Sequence, residues 1–401
     1  MLHVALYSGV YVRADAISTS LRYKVDALRR LVDAGAPLRV TVFTHGSDYG
    51  DPWVQCVGSM HELLSRPEFH GADVHLFEYG IHYDLFNSVF VLPPGRPTLA
   101  VYHNVTPPEL VDDALVRQTL ERSLVQKHNL ACVDRVACVS EFNRDDLLAT
   151  GLDPARLSVL HLPPAVEVHP GVPAPPRGDH VELLYVGRFV PAKGLPDLVE
   201  AVVRLHRRGT AGFRLTLAGN PTFSSGSHLE EVTGRIASEG LGELVRVVLS
   251  PDDAELAALY LRADALVMPS YHEGYCMPVV EAQSAGCFVI AYDSTNLPNV
   301  VDGVGALVPT GDVDRLTDAI GDYVARVQSS RRSGAPLHLP TAAGDVDEQT
   351  WRGLLHRHLE RYSPAAYIDG LCELLRWAAG RAPRGEALLR WMSQQPAEVC
   401  A

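Results

Sequence analysis

The sequence predicts an α/β protein with two doubly wound domains, each built on a parallel sheet. Three observations indicate this fold. The chain has 401 residues, more than a single hydrophobic core usually organises. Short β-rich segments alternate with amphipathic helical segments, which is typical of parallel sheets. A stretch rich in proline and glycine interrupts this alternation near the middle of the chain, after which the pattern starts again.

The composition is that of a globular protein, with 47% hydrophobic and 21% charged residues. A formal net charge of -13 argues against nucleic acid as a partner, because phosphate backbones attract basic surfaces. The seven cysteines form no CxxC pair and indicate neither a disulfide framework nor a zinc site. The N-terminus lacks the pattern of a signal peptide, and no segment has the apolar length of a membrane span. A cytoplasmic protein is therefore expected.

The predicted N-terminal domain covers residues 1–165. Its strands are LHVALYSG, PLRVTVFTH, DVHLFEYG, PTLAVYHN, DRVACVS and RLSVLHL. A helix is predicted over residues 17–32, because apolar residues recur there at helical spacing. This helix carries four basic residues: Arg22, Lys24, Arg29 and Arg30. They fit either a solvated helix face or, less well because Asp26 and Asp33 lie on the same segment, a contact with acidic lipid headgroups.

Residues 166–180 are predicted as the linker, since six prolines lie in the segment PPAVEVHPGVPAPPRG. The second domain, residues 181–345, has the predicted strands VELLYVG, FRLTLAG, LVRVVLS, DALVMPS and CFVIAYD. Helices are predicted at 195–208 and 253–262. Residues 329–347 are expected to form a flexible insertion, and residues 346–401 to be helical.

The segment 264–289 carries the most informative pattern, in which two glutamates, Glu273 and Glu281, are separated by seven residues. The amides after Glu273 would face a ligand, and a helix starting there would favour an anion. These amides belong to Gly274, Tyr275, Cys276 and Met277. Glu281 is expected in the first helical turn, where it would accept hydrogen bonds from a vicinal diol such as a ribose. The alternative is that Glu281 complements the helix dipole and Glu273 is a solvated loop charge.

A second pattern, VGRFVPAKG, follows the first strand of the second domain. Arg188 and Lys193 in this loop suit a diphosphate, because one offers paired donors and the other a compact charge. Gly219 and Asn220 follow the next strand and are assigned to the same donor side. The alternative for Arg188 and Lys193 is an ordinary surface position.

The third pattern, YHNVTPPE, places His103 at the end of a strand of the first domain, where it would hydrogen-bond a polar substrate. The alternative is a histidine satisfied at the strand end. Four weaker candidates complete the acceptor side: Asp15, Ser18, Asn104 and Ser140. Ser140 equally suits a helix N-cap.

No GxGxxG fingerprint or NTPase phosphate loop follows any predicted strand, which disfavours a dehydrogenase or a kinase. The motifs EGYCMPVVE, VGRFVPAKG, YHNVTPPE and VSEFNRDDL instead resemble the GT-B glycosyltransferases of family 4, a retaining group also called glycosyl transferases group 1. The resemblance covers roughly residues 1–328 and implies two Rossmann-like domains facing across a cleft. It also implies that the C-terminal helices cross back onto the first domain.

The resemblance further implies a role for each motif. Arg188 and Lys193 would hold the donor diphosphate, and Glu281 the ribose. Glu273 and the amides after it would contact the donor sugar, and His103 a sugar or the acceptor, so that the catalytic candidates are His103, Glu273, Arg188 and Lys193. The implied reaction is retaining transfer from a nucleoside-diphosphate sugar to a hydroxyl acceptor: a glycan, polyol, lipid-linked sugar or natural product. Neither a metal nor a cofactor is implied, and no catalytic base is assigned.

Three departures from the family pattern stand out. The first strand-to-helix loop reads VYVRADAIS, with Ala14, Asp15 and Ala16 where the family commonly has a glycine pair. Cys276 stands where a glycine is common, and Asn299 where a glutamate is common. Two alternatives therefore stay open: another enzyme of this architecture, such as an epimerase or a phosphorylase, and a catalytically silent sugar-nucleotide-binding protein. The donor, the acceptor and the oligomeric state are not decoded by the sequence.

Overall fold

The computed structural model describes residues 1–13, 15–166 and 178–395. Most of the predicted linker, from 167 to 177, lies outside the described residues. The chain forms two compact units. The first comprises Met1–Glu109, Asp113–Pro163 and the segment from Ser363 onward, and the second comprises Leu110–Asp112 and Pro164–Tyr362.

A seven-stranded parallel sheet forms the centre of the first unit, in the order β3-β2-β1-β4-β5-β6-β7. Its strands are β1 (Leu2–Tyr7), β2 (Leu38–Thr44), β3 (Val54–Cys56), β4 (Val74–Tyr79), β5 (Thr98–Tyr102), β6 (Arg135–Cys138) and β7 (Leu157–Val159). The central strands β1, β4 and β5 are buried throughout, as expected when helices cover both faces of a sheet. All six predicted strands are present. The added strand β3 is short and only partly buried, so no apolar run marked it.

The helices that follow these strands are α1 (Ala16–Asp33), α2 (Met60–Ser65), α3 (Pro67–Gly71), α4 (Ala114–Gln126) and α5 (Glu141–Leu148). Helix α1 matches its prediction to within one residue at each end. Its apolar face is buried through Leu21, Val25 and Leu28. The helix begins after Asp15, whose carboxylate accepts a hydrogen bond from the Ser18 amide at 2.8 Å.

The second unit contains a six-stranded parallel sheet in the order β10-β9-β8-β11-β12-β13. Its strands are β8 (Val181–Val186), β9 (Phe213–Gly219), β10 (Val245–Leu249), β11 (Ala265–Met268), β12 (Phe288–Tyr292) and β13 (Ala306–Val308). The five predicted strands are all present, and only the three-residue β13 was not predicted. The predicted α/β class with two parallel sheets is thus confirmed.

The helices of the second unit are α6 (Leu195–Arg207), α7 (Gly226–Ser238), α8 (Asp253–Arg262), α9 (Met277–Ser284), α10 (Leu297–Val301), α11 (Val313–Ser333) and α12 (Glu348–Leu359). The expectation of a flexible insertion at 329–347 is wrong. Helix α11 continues to Ser333, and an antiparallel hairpin follows, formed by β14 (His338–Thr341) and β15 (Gly344–Asp347). The hairpin is ordered because Leu339 is buried and the Thr341 hydroxyl donates to the Gly344 carbonyl at 2.7 Å.

The last two helices, α13 (Pro364–Ala379) and α14 (Glu386–Gln394), belong to the first unit. Arg384, in the turn between them, donates to both carboxylate oxygens of Asp73 at 2.9 Å and to the Gly71 carbonyl at 2.5 Å. Arg96 also pairs with this fully buried carboxylate, at 2.7 Å. Two arginines therefore neutralise Asp73 and fasten the C-terminal segment to the start of β4. Within the described ranges, no helix combines the length and apolar character needed to cross a membrane.

Candidate functional site

The donor-side candidates of the second unit lie after three adjacent strands. The Arg188 and Lys193 loop follows β8, Asn220 follows β9, and the Glu273 loop follows β11. These strands are parallel neighbours with β8 between the other two. Their carboxyl ends consequently share one edge of the sheet, which is where ligands bind in open α/β sheets.

Lys193 and Glu273 form an ion pair at this edge. The Lys193 Nζ lies 2.6 Å from Oε1 of Glu273, and the two side chains are 15% and 8% exposed. Burial by itself raises the pKa of Glu273, but the charge of Lys193 and hydrogen bonds from Lys193 and Ser270 outweigh it and hold that pKa below its ordinary value. Glu273 is therefore a carboxylate at neutral pH, and Lys193 is held in place by it.

Gly194 makes this pairing sterically feasible. It has φ +63°, and a Cβ added there would lie 1.9 Å from the carbonyl oxygen of Pro269. The loop after β8 thus lies directly against the end of β11, and the Tyr271 amide donates to the Ala192 carbonyl at 2.9 Å. Gly219 permits a similarly close approach between the ends of β9 and β8, since a Cβ added to it would lie 2.2 Å from the Gly187 carbonyl oxygen. Both glycines act by allowing close backbone contact.

The loop after Glu273 is fixed by its backbone. The Glu273 amide donates to Oγ1 of Thr295 at 2.8 Å, and the Asn296 side chain donates to the Tyr275 carbonyl at 2.8 Å. Cys276 has φ +76°, in the left-handed region, and immediately precedes Met277 at the start of α9. This conformation favours glycine, which gives a physical reason for a glycine in related chains and makes the cysteine here strained.

Glu281 is the fifth residue of α9 and so begins the second turn, which corrects its predicted place in the first. Its side chain is buried, with Oε2 accepting from the Tyr260 hydroxyl at 2.7 Å and Oε1 from the Val166 amide at 3.3 Å. Burial raises the pKa of Glu281, although these hydrogen bonds act in the opposite direction. A carboxylate has about four acceptor positions, so this one retains capacity for further donors.

Arg188 differs from its neighbours in being exposed. Its carbonyl accepts from the Tyr185 hydroxyl at 3.0 Å, which fixes the backbone, but its guanidinium forms no ion pair with any carboxylate in the described part of the chain. Asn220 uses its side chain to cap the short helix after β9, accepting from the Thr222 amide at 2.9 Å. The loop after β8 thus has a fixed backbone at Arg188, and the Arg188 guanidinium has no carboxylate partner among the described residues.

His103 follows β5 of the first unit and belongs to a buried cluster. Its Nε2 lies 2.7 Å from Oε2 of Glu78, whose Oε1 lies 2.9 Å from Nζ of Lys24. Glu78 and Lys24 are 0% exposed and His103 is 7% exposed. Burial raises the pKa of Glu78, but Lys24 and His103 outweigh this and lower it overall; burial lowers the pKa of Lys24. We call these three residues the Lys24 cluster.

Lys24 fits neither interpretation of the basic helix, whereas Arg22 and Arg30 are exposed as the solvated-face interpretation predicted. A fully buried lysine neither faces water nor meets lipid, and its partners explain why it tolerates burial. Arg22 and Arg29 are engaged as well, with Asp26 at 3.3 Å and Asp51 at 2.5 Å. Lys24 lies three residues after Leu21 and next to Val25, so the apolar spacing already placed it on the buried face. The charge pattern of the helix indicates neither the burial of Lys24 nor its partner Glu78.

An open cavity of about 450 Å³ lies at the carboxyl edge of this first sheet. Its lining residues are Ser8, Gly9, Val10, Asp15, Ile17, His45, Glu78, Gly80, Ile81, His82, Tyr83, Asp84 and Arg122. Gly80 connects the cavity to the Lys24 cluster, since a Cβ added to it would lie 2.9 Å from Cβ of His103 and from Cδ1 of Ile17. Sequence reasoning did not single out Gly80.

The four weaker acceptor-side candidates have different surroundings. Asp15 lines the cavity while capping α1, and its neighbour Ala14 lies outside the described residues. Ser18 is buried and holds the preceding loop, accepting from the Val12 amide at 3.1 Å. Ser140 caps α5, accepting from the Asn143 amide at 3.2 Å, as its alternative reading proposed. Asn104 has φ +74° and turns the chain just after His103.

Arg122 and His82 are cavity residues that sequence reasoning also missed. Nη2 of Arg122 lies 3.3 Å from Nε2 of His82. Burial and the charge of Arg122 lower the pKa of His82, so the ring is neutral at neutral pH and accepts from the guanidinium. Arg122 is exposed, and no carboxylate among residues 1–13, 15–166 and 178–395 forms an ion pair with it. The cavity therefore has a cationic side.

Nowhere in the described chain do three or more histidine, cysteine, aspartate or glutamate side chains cluster in a way that would hold a metal ion. The charged groups of the two edges are instead arranged as lysine–glutamate pairs and single arginines.

Comparison with known proteins relates both the domain and the fold to characterised families. Residues 173–333 match the family of glycosyl transferases group 1. The D-inositol 3-phosphate glycosyltransferase of Mycobacteroides abscessus is 33% identical over 208 residues, which are 48% of this chain and 45% of the relative. The enzyme of the same name from Frankia alni is 36% identical over 231 residues, 53% of this chain and 55% of the relative. The match thus spans about half the length of these curated relatives.

The fold likeness extends over nearly the whole chain. The structure of Anabaena HepE in complex with UDP aligns with a TM-score of 0.67 and 15% identity, covering 94% of this chain and 99% of HepE. The described geometry has the same two parallel sheets with surrounding helices. Residues 173–333 thus match the glycosyl transferases group 1 family, and the chain has the GT-B fold.

Proposed function

We propose that the protein transfers a sugar from a nucleoside-diphosphate sugar to a hydroxyl acceptor, with retention of anomeric configuration and without a metal ion. The observation that carries this proposal is the Lys193–Glu273 ion pair at the carboxyl edge of the second sheet, on the same loop as the uncompensated Arg188. Two cations on one loop at a ligand-binding edge suit a diphosphate.

The donor side would work by charge stabilisation. When the bond between sugar and diphosphate breaks, negative charge grows on the leaving phosphate, and a preorganised cation there lowers the barrier. Lys193 is preorganised because Glu273 holds its ammonium at 2.6 Å. Arg188 has no competing carboxylate among the described residues, so its guanidinium is available to phosphate oxygens. Glu281 would use its remaining acceptor capacity for the ribose diol.

Retention is proposed from the family resemblance, which favours a front-face reaction. In that reaction the leaving phosphate oxygen accepts the proton of the acceptor hydroxyl as the new glycosidic bond forms on the same face. We assign no protein group as nucleophile or base. Glu273 suits a positioning and binding role, because its carboxylate is already engaged by Lys193.

For the acceptor we propose a phosphorylated polyol. The curated relatives are named D-inositol 3-phosphate glycosyltransferases. In this chain, the cavity of about 450 Å³ combines the cationic Arg122 with carboxylates such as Asp15, which are acceptors for hydroxyl groups. An exposed arginine without an ion pair in the described chain suits a phosphate.

The donor proposal is tested by thermal unfolding with UDP, GDP, ADP and dTDP in turn. One nucleotide is expected to stabilise the protein, by about 2.7 kcal/mol at a concentration of 100 times its Kd. The double variant Arg188→Ala, Glu281→Ala should lose this stabilisation. Arg214→Ala, which removes an exposed arginine of β9, is the matched control and should keep it. Stabilisation by none of the four nucleotides would contradict the donor site and favour a silent member of the fold.

The reaction is tested by nucleoside-diphosphate release with inositol phosphate and with unphosphorylated inositol. If the nucleoside diphosphate is released only when an acceptor is present, the result supports sugar transfer and argues against an epimerase. If the sugar is transferred without added inorganic phosphate, the result argues against a phosphorylase. Arg122→Ala should raise the KM for the phosphorylated acceptor much more than for inositol. An equal effect on both acceptors would contradict phosphate recognition by Arg122.

A further inference from the structure

We propose that Glu78 and Lys24 are positioning residues that fix the tautomer of His103, so that its Nδ1 accepts a hydrogen bond from a substrate hydroxyl. This inference rests on the proposed function, in which His103 contacts a sugar or the acceptor. It assigns roles to two residues whose side chains are 0% exposed, of which Glu78 also forms part of the cavity wall.

The carboxylate of Glu78 has two close partners, and the Ser20 hydroxyl donates to its Oε2 at the longer distance of 3.4 Å. Oε1 lies 2.9 Å from the Lys24 ammonium, and Oε2 lies 2.7 Å from Nε2 of His103. An ionised carboxylate only accepts hydrogen bonds. Nε2 of His103 must therefore carry the hydrogen, and in the neutral ring Nδ1 is left with its lone pair.

The free side of the ring faces no protein donor. Among the described residues, none hydrogen-bonds Nδ1 of His103, whose backbone amide donates to the Tyr79 carbonyl at 2.8 Å. His103 also lies against Gly80, a residue of the cavity wall. The ring is thus held from behind at Nε2 and from its backbone, while Nδ1 remains available as an acceptor.

Lys24 determines whether this arrangement persists. A buried carboxylate without a counter-charge tends to take up a proton, and it would then donate to the histidine instead of accepting from it. Lys24 prevents this, and Lys24 is itself held by the Ser20 hydroxyl at 2.6 Å and the Ser20 carbonyl at 3.2 Å. Ser20 therefore holds Lys24, Lys24 keeps Glu78 ionised, and Glu78 fixes the tautomer of His103.

The substitution Glu78→Gln distinguishes this role from a merely structural one. A glutamine has one side-chain oxygen, which the Lys24 ammonium would retain, so that the amide NH₂ faces Nε2 of His103. The ring would then carry its hydrogen on Nδ1 and present a donor in place of an acceptor. We expect a decrease in kcat of about 10- to 100-fold, by analogy with losses when the groups that orient metal-ligating histidines are removed.

The double variant Lys24→Met, Glu78→Gln is the matched rescue. Without the ammonium, the glutamine amide is free to rotate and to place its oxygen opposite Nε2, which restores the original tautomer. We expect kcat to recover most of the loss and KM for the donor to stay within about twofold of wild type. The double variant also removes the unpaired buried charge, so a merely structural role predicts recovery of kcat as well, but with the wild-type ring tautomer in all three proteins.

The tautomer is read directly from ring ¹⁵N chemical shifts in protein labelled with ¹⁵N-histidine. The His103 signals are assigned by their absence in His103→Asn. Wild type should show a protonated Nε2 and an unprotonated Nδ1, Glu78→Gln the reverse, and the double variant the wild-type pattern. A wild-type ring protonated at Nδ1 would overturn the inference, as would unchanged kcat in Glu78→Gln after a demonstrated tautomer switch.

The spectra need no substrate, so this test is separate from that of the proposed function. If the three spectra follow the expected order and wild type transfers no sugar, the positioning role of Glu78 and Lys24 is supported and the proposed reaction is contradicted. If sugar transfer is demonstrated but the ring is protonated at both nitrogens, the proposed reaction stands and the inference is overturned.

Discussion

The two units each contain a buried lysine–glutamate pair, and the pairs differ in their access to water. Lys24 and Glu78 lie 2.9 Å apart with both side chains 0% exposed. Lys193 and Glu273 lie 2.6 Å apart at 15% and 8% exposure, on loops at a sheet edge. The same ion chemistry therefore serves two purposes. An enclosed pair fixes a third residue, whereas a partly open pair holds a cation where a ligand can reach it.

The largest expected effect comes from breaking the enclosed pair. Lys24→Met leaves the Glu78 charge buried without its counter-charge, which costs about 3–5 kcal/mol of unfolding free energy. Chemical denaturation measures this loss. Lys24→Met, Glu78→Gln should recover most of it, because no unpaired charge remains. A loss below about 1 kcal/mol in the single variant would mean that water reaches Glu78, and the contrast between the pairs would disappear.

Breaking the open pair should affect catalysis more than stability. Lys193→Met removes a cation proposed to stabilise the leaving phosphate, so kcat should fall by about 100- to 1,000-fold. Unfolding free energy should fall by less than for Lys24→Met, since the side chains of this pair are 15% and 8% exposed and those of the other pair 0%. Steady-state kinetics and denaturation on the same variant check both parts. A stability loss equal to that of Lys24→Met would contradict the comparison.

The glycines behind the two pairs should also differ. Gly194→Ala combines φ +63° with a Cβ 1.9 Å from the backbone oxygen of Pro269, and we expect a loss of about 2–3 kcal/mol. Gly80→Ala meets Cβ of His103 and Cδ1 of Ile17 at 2.9 Å and the Asn104 carbonyl oxygen at 3.2 Å, which is a less severe contact than at Gly194 and involves no positive φ. Its stability loss should be about 1 kcal/mol. Because the added methyl group displaces His103, kcat should fall even under conditions in which the variant stays folded. An unchanged kcat would show that His103 tolerates the displacement.

The pH dependence of stability should have opposite signs for two buried carboxylates. The folded pKa of Glu78 is below the ordinary 4.5, so its contribution is present above that value and is lost as the pH falls through the folded pKa. The folded pKa of Glu281 is above 4.5, so its ionisation reduces stability as the pH rises from 4.5 through the folded value. Relative to wild type, Glu281→Gln should therefore gain stability as the pH rises, and Glu78→Gln should lose it. Urea unfolding between pH 3 and 7 measures both, because the Glu78 change lies below pH 4.5 and the Glu281 change above it; slopes of the same sign would contradict the assignment.

The same contrast explains how much the sequence predicted. The fold and the positions of Arg188, Lys193 and Glu273 were predictable, because strand patterns and loop motifs place them at one sheet edge. The Lys24 cluster was not predicted, because it joins a helix, a strand interior and a strand end; Ser20 and Glu78 are 58 residues apart. Such contacts depend on packing between elements and leave only a weak local mark, here a lysine at apolar spacing.

Local backbone geometry was the other part that patterns did not supply. The hairpin at residues 338–347 has a polar sequence with few apolar residues, and its order comes from backbone pairing and one buried leucine. The glycine requirement at Gly194 and Gly80 reflects contacts with distant residues. The departure at Cys276 was visible in the sequence, yet its left-handed conformation needed the coordinates.

That conformation gives the smallest and sharpest prediction. Cys276→Gly relieves a left-handed residue of a strain worth about 1–2 kcal/mol, but it also removes a buried thiol, so the net change should stay within about 1 kcal/mol. Cys276→Ala also loses the sulfur and keeps the strain. Glycine should therefore be the more stable of the two variants by about 1 kcal/mol, the reverse of the order inside a helix. Denaturant unfolding of both variants decides this, and an alanine variant as stable as the glycine variant would show that the backbone of this loop relaxes out of the left-handed region.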